Sequence, residues 1–350
     1  MADRLLRKSI SEIDYRRKKT KCYSSYDIEL IKYITEETEK NNLDNISRTK
    51  AYERYFTHNQ EIPWSFLASM VSRNAGWNMA DLEGVWFPQS LTREYRELLF
   101  LTYERANWLI FSDAYPQLLL YEYSKKNGKS YFHLASAFNI SRFIEAEWEL
   151  FLTYLDVKRL MTSQIINEQN VIQLPVIEHP FYKKNVFRSM VFKLQDWFHF
   201  SAVLFPVCSG RIYGYSVHEF RNLSNRIELG TKLSQLLFDQ RYFPLFYQFS
   251  KNTEHTGSRI DYEKYLNPTK RRDTPFLRTT FPIINHHKRE MKDWYSFSSV
   301  KSKWYNHSLD FGKSQIDLTE WYQQKQQQLH LGITFEHLIK AKIEKELPKM

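Results

Sequence analysis

The sequence predicts a mainly α protein with a single large helical domain and an irregular basic C-terminal region. Apolar residues recur every three to four positions over several long stretches, as they do on the buried face of a helix. Strand-like patterning is confined to a minor element around residues 211–215, and no internal repeat is visible. We expect a basic N-terminal arm (1–21), a helical domain (22–265) and a basic, less regular C-terminal extension (266–350) that ends in helix.

Composition predicts a soluble, cytoplasmic protein. A chain of 350 residues is long enough to bury a sizeable core without disulfides or metals. The two cysteines, Cys22 and Cys208, are far apart and form no CxxC or metal-ligand spacing, which indicates a reducing compartment. The charged N-terminus lacks the apolar segment of a signal peptide. The longest apolar run (197–207) falls well short of the roughly 18 residues of a membrane span.

The net charge of +10 lies at the two ends of the chain. Residues 1–21 contain 8 Lys/Arg against 3 Asp/Glu and residues 260–350 contain 16 against 11, whereas residues 22–259 balance at 26 of each. A globular body with basic appendages fits this distribution better than one continuous basic face. The basic cluster that begins at Arg16 suits phosphate or anionic lipid, but we prefer a solvated, poorly ordered arm.

The first helix signals are capping and terminating residues. Residues 26–40 have a helical period, and Ser47 is expected to cap the next helix. A third helix should begin at Pro63 and end at Gly76, because glycine readily takes the left-handed position that follows a helix.

A buried central helix is predicted over residues 91–112. Before it, Asn78 and Asp81 have the spacing of a variant capping box for a short helix. The second half of the central helix is apolar on every face, which is typical of a helix buried all round. Pro116 should break it, and Gly128 should close the helical segment that follows.

Later elements are also marked by capping residues. Ser141 is expected to cap a helix that continues into residues 161–169. Ser216 and Glu219 form an S-x-x-E capping box, which predicts a helix over residues 217–238.

The remaining segments give weaker signals. We expect at least one helix within residues 185–200 and a short helix near Asp261. Periodicity is lost over residues 267–315, and helix should resume from Asp317 and again from Thr334.

Polar residues inserted into apolar helices mark the candidate site. Around the expected helix end at 73–78, an arginine offers a planar fork for carboxylate or phosphate, and a tryptophan offers a stacking face. Three further polar residues interrupt the central helix, where an unpaired buried charge costs on the order of several kcal/mol, so each needs a partner. In the alternative reading, Arg73 simply pairs with Glu104 or Asp81. The candidate ligand-binding residues here are Arg73, Asn74, Trp77, Asn78, Glu104, Arg105 and Asn107.

Glu104 and His255 are the candidate catalytic groups. Burial raises the pKa of a carboxyl group and makes Glu104 a candidate general base, although a neighbouring arginine would equally keep it ionised. His255 opens the segment HTGSR. There Gly257 allows an unusual backbone angle, Ser258 supplies a hydroxyl and Arg259 stands at a helix N-terminus, where anions are favoured. An ordinary turn is the alternative, because no P-loop, GxGxxG or GxSxG spacing is present.

No metal centre and no cofactor are expected. Glu145, Glu149 and Glu168 lie on predicted helices and raise the question of a di-iron carboxylate bundle. That site needs paired E-x-x-H motifs, whereas the nearest pair here, His287 and Glu290, runs in the opposite direction.

Four segments together resemble a family of bacterial proteins classified as a domain of unknown function. The resemblance spans about residues 45–265 and implies a bacterial cytosolic setting and one domain across that span. It implies no activity, cofactor or catalytic residue. The segments, in chain order, are RNAGWN (73–78), ERANWLIF (104–111), INEQN (166–170) and HTGSR (255–259).

The sequence does not establish a function, and three hypotheses remain open. The preferred one is a binding protein that holds a small polar or anionic ligand in an inter-helical pocket. The second is an enzyme acting on a phosphate-bearing substrate, with His255 and Glu104 as acid and base and with Arg73 and Arg259 as anion clamps. The third is a nucleic-acid-associated protein that uses its basic ends.

Overall fold

Helices form most of the chain, so the predicted mainly α class is confirmed. A computed structural model describes residues 2–19, 22–187, 202–217, 219–286, 292–305 and 316–328. The expected helix within 185–200 lies almost entirely outside the described residues, as do the helix from Thr334 and the pair His287 and Glu290.

The first half of the chain contains the longest helices. They are α1 (Ala2–Lys19), α2 (Ser25–Asn41), α3 (Asn45–His58), α4 (Trp64–Asp81), α5 (Phe87–Ser90), α6 (Arg93–Asn127), a 3-10 segment (Phe132–Phe138), α7 (Arg142–Tyr154) and α8 (Val157–Val171).

The second half mixes shorter helices with one hairpin. In order come a π-helical turn (Gln173–Ile177), α9 (Pro180–Tyr182), a second π-helical turn (Lys183–Phe187), strands β1 (Ala202–Pro206) and β2 (Ile212–Ser216), α10 (Leu223–Leu237), α11 (Phe243–Asn252), α12 (Ile260–Leu266), α13 (Leu277–Thr280), two 3-10 turns (Trp294–Ser296 and Ser302–Tyr305), and α14 over 319–328.

Helix α6 is the central element that the sequence predicts, but it is longer than expected. It runs for 35 residues and contacts α2, α3, α4 and α8. The predicted break at Pro116 is wrong. Pro116 lies inside the helix and is buried, between the fully buried Phe111 and Leu118. Packing on both sides therefore outweighs the hydrogen bond that a proline removes from a helix.

Helix α4 also continues past its predicted end. Gly76 lies within the helix, so neither the termination at Gly76 nor the capping box of Asn78 and Asp81 is correct. A Cβ at Gly76 would contact the side-chain oxygen of Asn45 and would lie 2.7 Å from Nε2 of His255. The glycine is needed for the close approach of these side chains, not for ending the helix.

Helix α1 corrects the expectation of a solvated N-terminal arm. Leu6, Ile10 and Ile13 are buried, and α1 packs against α7. The guanidinium of Arg16 lies 2.6 Å from the buried carboxylate of Glu145. Part of the N-terminal basic cluster is therefore used within the protein. The division of the chain at residues 21 and 265 stays a prediction.

Two of the predicted N-caps are displaced. Asp44, not Ser47, caps α3, because its carboxylate accepts a hydrogen bond from the Ser47 amide at 2.7 Å. The predicted helix over 217–238 begins only at Leu223, where Asn222 is the cap. Ser216 belongs to β2, opposite Ala202 of β1. The S-x-x-E spacing was misleading because strand pairing determines the conformation of Ser216.

Other predicted boundaries are correct. Ser141 caps α7, and Gly128 ends α6 in the left-handed conformation with φ 65°. Helix α7 does not continue into α8, however, because Leu155 has φ 53° and Asp156 caps the new helix. The minor β element expected near 211–215 exists as β2, and it pairs antiparallel with β1. Within the described ranges, no helix is long and apolar enough to cross a membrane.

Candidate functional site

Arg73 joins α4 to the end of α11, through two backbone carbonyl groups, and to α3, through a carboxylate. Its guanidinium donates to the carbonyl oxygens of Thr253 at 2.9 Å and Ser250 at 3.1 Å, and it forms an ion pair of 3.2 Å with Glu53. Burial lowers the pKa of Arg73, an effect that Glu53 opposes. Arg73 therefore does not pair with Glu104 or Asp81, as the alternative sequence reading supposed.

Asn74 connects helix α4 to the hairpin. Its amide nitrogen donates to the carbonyl oxygen of Leu204, and its oxygen accepts from the Leu204 amide, both at 2.7 Å. A side-chain amide thus pairs with the backbone of β1 as a neighbouring strand would, which satisfies two buried backbone groups. Asn78, one turn further along α4, bonds to the hydroxyl of Tyr103.

Trp77 and His255 converge on Asp261 in a buried cluster. The indole nitrogen of Trp77 donates to Asp261 Oδ2 at 3.0 Å, and Nδ1 of His255 lies 3.4 Å from the same oxygen. Nε2 of His255 lies 2.8 Å from the side-chain oxygen of Asn45. Burial lowers the pKa of His255 in spite of the Asp261 carboxylate. His255 contacts Asn45 and Asp261, whereas Glu104 lies against Arg48 and His286, so no contact between the two candidate catalytic residues exists among the residues that the structure describes.

Arg259 is the centre of a closed ionic network. Its guanidinium contacts Asp81 at 2.8 Å and Asp273 at 3.3 Å, and only 4% of its side chain is exposed. Burial tends to lower the pKa of Arg259, but these carboxylates more than offset that effect and raise it. Ser258 donates to the carbonyl oxygen of Thr274 at 2.9 Å.

Gly257 holds the HTGSR turn against α13. It has φ 80°, and a Cβ there would lie 2.6 Å from the side chain of Leu277. The backbone conformation therefore needs glycine, as the sequence suggested. Contacts within the protein thus hold the HTGSR turn in place.

Glu104 has a different environment, with an arginine on one side and a histidine on the other. One carboxylate oxygen, Oε2, forms an ion pair with the buried guanidinium of Arg48 from α3. The other, Oε1, lies 3.5 Å from Nε2 of His286 and has no hydrogen bond to any residue that the structure describes. Burial raises the pKa of Glu104, but Arg48 and His286 outweigh it and hold the pKa below its usual range.

Arg105 and Asn107, the neighbours of Glu104 on α6, turn to other surroundings. The Arg105 guanidinium lies 4.8 Å from the centre of the Trp108 ring. Asn107 donates to the carbonyl oxygen of Tyr103, one turn earlier in the same helix, at 2.8 Å. Arg48, rather than the adjacent Arg105, therefore keeps Glu104 ionised.

Two cavities flank the pair of Glu104 and His286. Glu104 lines one of about 460 Å³, and His286 lines the other of about 510 Å³. Leu43 and Ile283 line both cavities, so we treat them as the two arms of one feature, the Glu104–His286 cleft. Asn42 and Ser112 lie in the second arm, where the Asn42 amide donates to the serine oxygen at 2.8 Å.

Sequence reasoning missed two members of this cleft. Arg48 lies on the apolar face of α3, at helical spacing from Ala51, Tyr52 and Tyr55, and that position was a usable signal of a buried charge. His286 gave no signal, because it lies in the irregular region beyond α13. In the described ranges, no group of three His, Cys, Asp or Glu residues is arranged to hold a metal ion.

These contacts define a mainly α protein whose buried charges are paired within the fold, with a cleft beside the buried carboxylate oxygen Glu104 Oε1, which has no hydrogen bond to any described residue. The chain belongs to the family described as "Protein of unknown function (DUF2515)", whose model matches residues 40–323. The resemblance to a bacterial family without assigned function is thus confirmed, over a longer span than the four segments indicated.

A relative from Bacillus subtilis (strain 168) supports the family assignment. The chain is 48% identical to "Uncharacterized protein YppC" over 312 residues, which cover 89% of this chain and 96% of that protein. No solved structure matches the chain.

Proposed function

We propose that this protein binds a small polar molecule in the Glu104–His286 cleft, through an amine or hydroxyl group of the ligand. The observation that carries the proposal is Glu104 Oε1, a buried carboxylate oxygen without a hydrogen bond to any described residue. Buried polar atoms are nearly always hydrogen-bonded, and each exception calls for an explanation. A donor supplied by a ligand is the explanation that we adopt.

The charge of Glu104 selects the class of ligand. Since Arg48 and His286 hold the pKa of Glu104 below its usual range, the carboxylate is ionised near neutral pH. An ionised carboxylate only accepts hydrogen bonds and repels anions. We therefore expect a polar ligand that carries a hydrogen-bond donor, rather than an anionic ligand.

The arginines that were expected to clamp an anion support the same choice. Arg73 donates to two backbone carbonyl oxygens and pairs with Glu53. Arg259 pairs with Asp81 and Asp273. An anionic ligand would have to compete with these buried partners, and breaking such a pair costs about 3–5 kcal/mol.

The shape of the cleft supports a ligand with an apolar part next to the donor. Leu43 and Ile283 line both arms, and the Trp108 ring lies 5.0 Å from the ring of His286. Ligand sites typically combine mostly apolar walls with a few convergent polar groups. An aromatic or alicyclic amine or alcohol has this combination.

The test is a thermal-shift screen of the full chain with primary amines, amino sugars, polyols and nucleosides. A compound that binds only the folded state raises the melting temperature by mass action. We expect active compounds to stabilise the native protein and to lose most of this effect in Glu104→Gln, which removes the charge at nearly constant shape.

Glu145→Gln is the matched control. Glu145 is also a buried, arginine-paired carboxylate, but it lies on α7 against α1. Active compounds should stabilise Glu145→Gln as strongly as the native chain. Equal stabilisation of Glu104→Gln would place their binding elsewhere and contradict the proposal.

We also infer that the protein acts in the cytoplasm. Cys22 and Cys208 are both unpaired, and Cys22 is exposed. Free thiols of this kind persist in a reducing compartment.

A further inference from the structure

A second cavity lies on the other side of helix α6 from the cleft. It has a volume of about 200 Å³ and is lined by α4, α6, the π-helical turns after α8, strand β1 and the segment between β2 and α10. Leu99, Tyr103 and Ala106 of α6 line it, at spacings that place them on one face of the helix. Glu104 instead pairs with Arg48 of α3 and does not line this cavity.

The walls of this cavity are apolar. Most of its lining consists of aliphatic and aromatic side chains, among them Val71, Ile177, Phe187, Val203 and Phe220. A cavity of this composition stays free of water when no polar group inside it can hold a water molecule.

The few polar residues at the cavity have partners within the protein. The Asn74 amide pairs with the backbone of Leu204 on both its donor and its acceptor side. Thr102 donates to the carbonyl oxygen of Leu98 at 2.7 Å, and Asn78 bonds to the Tyr103 hydroxyl. A polar ligand would have to displace one of these bonds and leave a buried group unsatisfied, which costs about 1–3 kcal/mol.

The volume sets the size of a ligand. A dry cavity of roughly 150 Å³ lined by Leu, Ile and Phe binds benzene or xenon. The cavity here, at about 200 Å³, is somewhat larger. It therefore suits one aromatic ring with a short alkyl substituent, or a small bicyclic ring.

We propose that the cavity between α4, α6 and β1 is a second binding site, specific for a small apolar molecule of one or two rings. The site does not depend on the Glu104–His286 cleft, because the two lie on different faces of α6 and share no lining residue. Binding here stabilises the contact between α4 and β1, since the ligand touches residues of both.

The experiment uses toluene and indole as probes and phenol as the polar comparison, with the full chain. Toluene near saturation should raise the melting temperature by about 2 °C or more. Phenol should bind less tightly than toluene, because the polar groups Asn74, Asn78 and Thr102 of the described wall already have partners within the protein. Isothermal titration calorimetry then gives the dissociation constants.

Ala75→Leu is the decisive variant, and Ala68→Leu is its control. Ala75 lines the cavity, whereas Ala68 lies on the same face of α4 two turns earlier and outside it. We expect Ala75→Leu to weaken toluene binding by more than about tenfold and Ala68→Leu to leave it unchanged. Ala106→Leu fills the same space from α6 and provides the test if Ala75→Leu does not fold.

Three results would overturn the inference. They are the absence of any shift with toluene or indole in the native chain, equal binding by Ala75→Leu and Ala68→Leu, and tighter binding of phenol than of toluene. Glu104→Gln should bind toluene normally. Failure of the polar-ligand proposal and failure of this one are therefore distinguishable in the same set of proteins.

Discussion

The two ionic networks around Arg259 and Glu104 have similar compositions and different surroundings. Arg259 contacts Asp81 and Asp273, and its side chain is 4% exposed. Glu104 is as deeply buried, yet only its Oε2 pairs with an arginine, and Oε1 faces His286 beside a cavity. The first network holds α4, α12 and the segment before α13 together, whereas the second places a carboxylate oxygen beside a cavity.

This difference shows that a buried charge is not by itself evidence of a site. Glu104 appears in the sequence as a charge within an apolar helix, and Arg259 as a charge in a turn. Buried carboxylate oxygens without a hydrogen bond to a described residue occur in both networks, at Asp81 Oδ1 and at Glu104 Oε1, but Glu104 lines a cavity into which a ligand could fit.

The largest effect on stability is expected in the network around Arg259. Arg259→Ala leaves the buried Asp81 without its cation, whereas Asp273 keeps its contact with Lys270 at 3.3 Å, so we expect the free energy of unfolding to fall by about 3–5 kcal/mol. Urea denaturation measures the loss. The control is Arg241→Ala, which removes an exposed pair with Asp239 and should cost below about 1 kcal/mol. Equal losses in the two variants would show that the Arg259 network is not a stabilising unit.

A buried carboxylate without a paired cation should make the stability of the protein depend on pH. Glu168 accepts from the indole nitrogen of Trp64 at 3.2 Å and forms no ion pair with any residue in the described ranges. Burial raises its pKa from 4.5 to about 7. The folded protein therefore binds this proton more tightly than the unfolded chain does, and the associated stability is complete below pH 4.5 and lost as the pH rises to about 7.

The measurement compares unfolding free energies of the native chain and Glu168→Gln across that window. We expect Glu168→Gln to match the native chain near pH 5 and to exceed it by about 2 kcal/mol near pH 8, after allowance for partial exposure. Glu122→Gln, on the exposed face of α6, is the control and should leave the pH dependence unchanged. A native chain whose stability rises from pH 5 to pH 8 relative to Glu168→Gln would contradict the raised pKa.

The smallest effect on stability should occur in the network around Glu104. His286 lies 3.5 Å from Glu104, at the limit of a hydrogen bond, and Arg48 still pairs with the carboxylate when the imidazole is removed, so His286→Ala should cost about 1 kcal/mol. Its effect on ligand binding should be large, because His286 forms part of the cleft wall. The polar compounds that stabilise the native chain should lose at least about tenfold in affinity, as measured by calorimetry.

His133→Ala provides the comparison for this variant. His133 contacts Asp27 at 3.2 Å and does not line the cleft. It should retain the affinity of the native chain. A large loss of stability in His286→Ala without loss of affinity would show that the second network is structural, like the first.

The candidate residues were recognised from the sequence better than their partners were. The insertion of Glu104 into an apolar helix correctly predicted that it is buried and paired. Arg73 was expected either to bind a ligand or to pair with Glu104 or Asp81, and Arg259 was expected to bind an anion, yet both are paired with other residues of the protein. Glu53 lies 20 positions from Arg73 in the sequence, Arg48 lies 56 positions from Glu104, and Asp81 lies 178 positions from Arg259. Such long-range pairs follow from the packing of helices and have no local signature.

Helix boundaries were predictable where a cap acts alone. Ser141 and Gly128 are correct because capping hydrogen bonds and left-handed glycine conformations are local effects. Gly76 and Ser216 were misread because tertiary contacts use the same residues for another purpose. The sequence alone does not distinguish a glycine that ends a helix from a glycine that makes room for a neighbouring side chain.

The sequence by itself determined the helical class, the central position of α6 and the burial of Glu104, because the periodicity of apolar side chains is a local property. The tertiary structure alone decided which charges meet, that Glu104 faces His286 rather than His255, and that an apolar cavity lies behind the same helix. These outcomes depend on how distant helices pack. The free acceptor at Glu104 and the space beside α6 are properties of that packing.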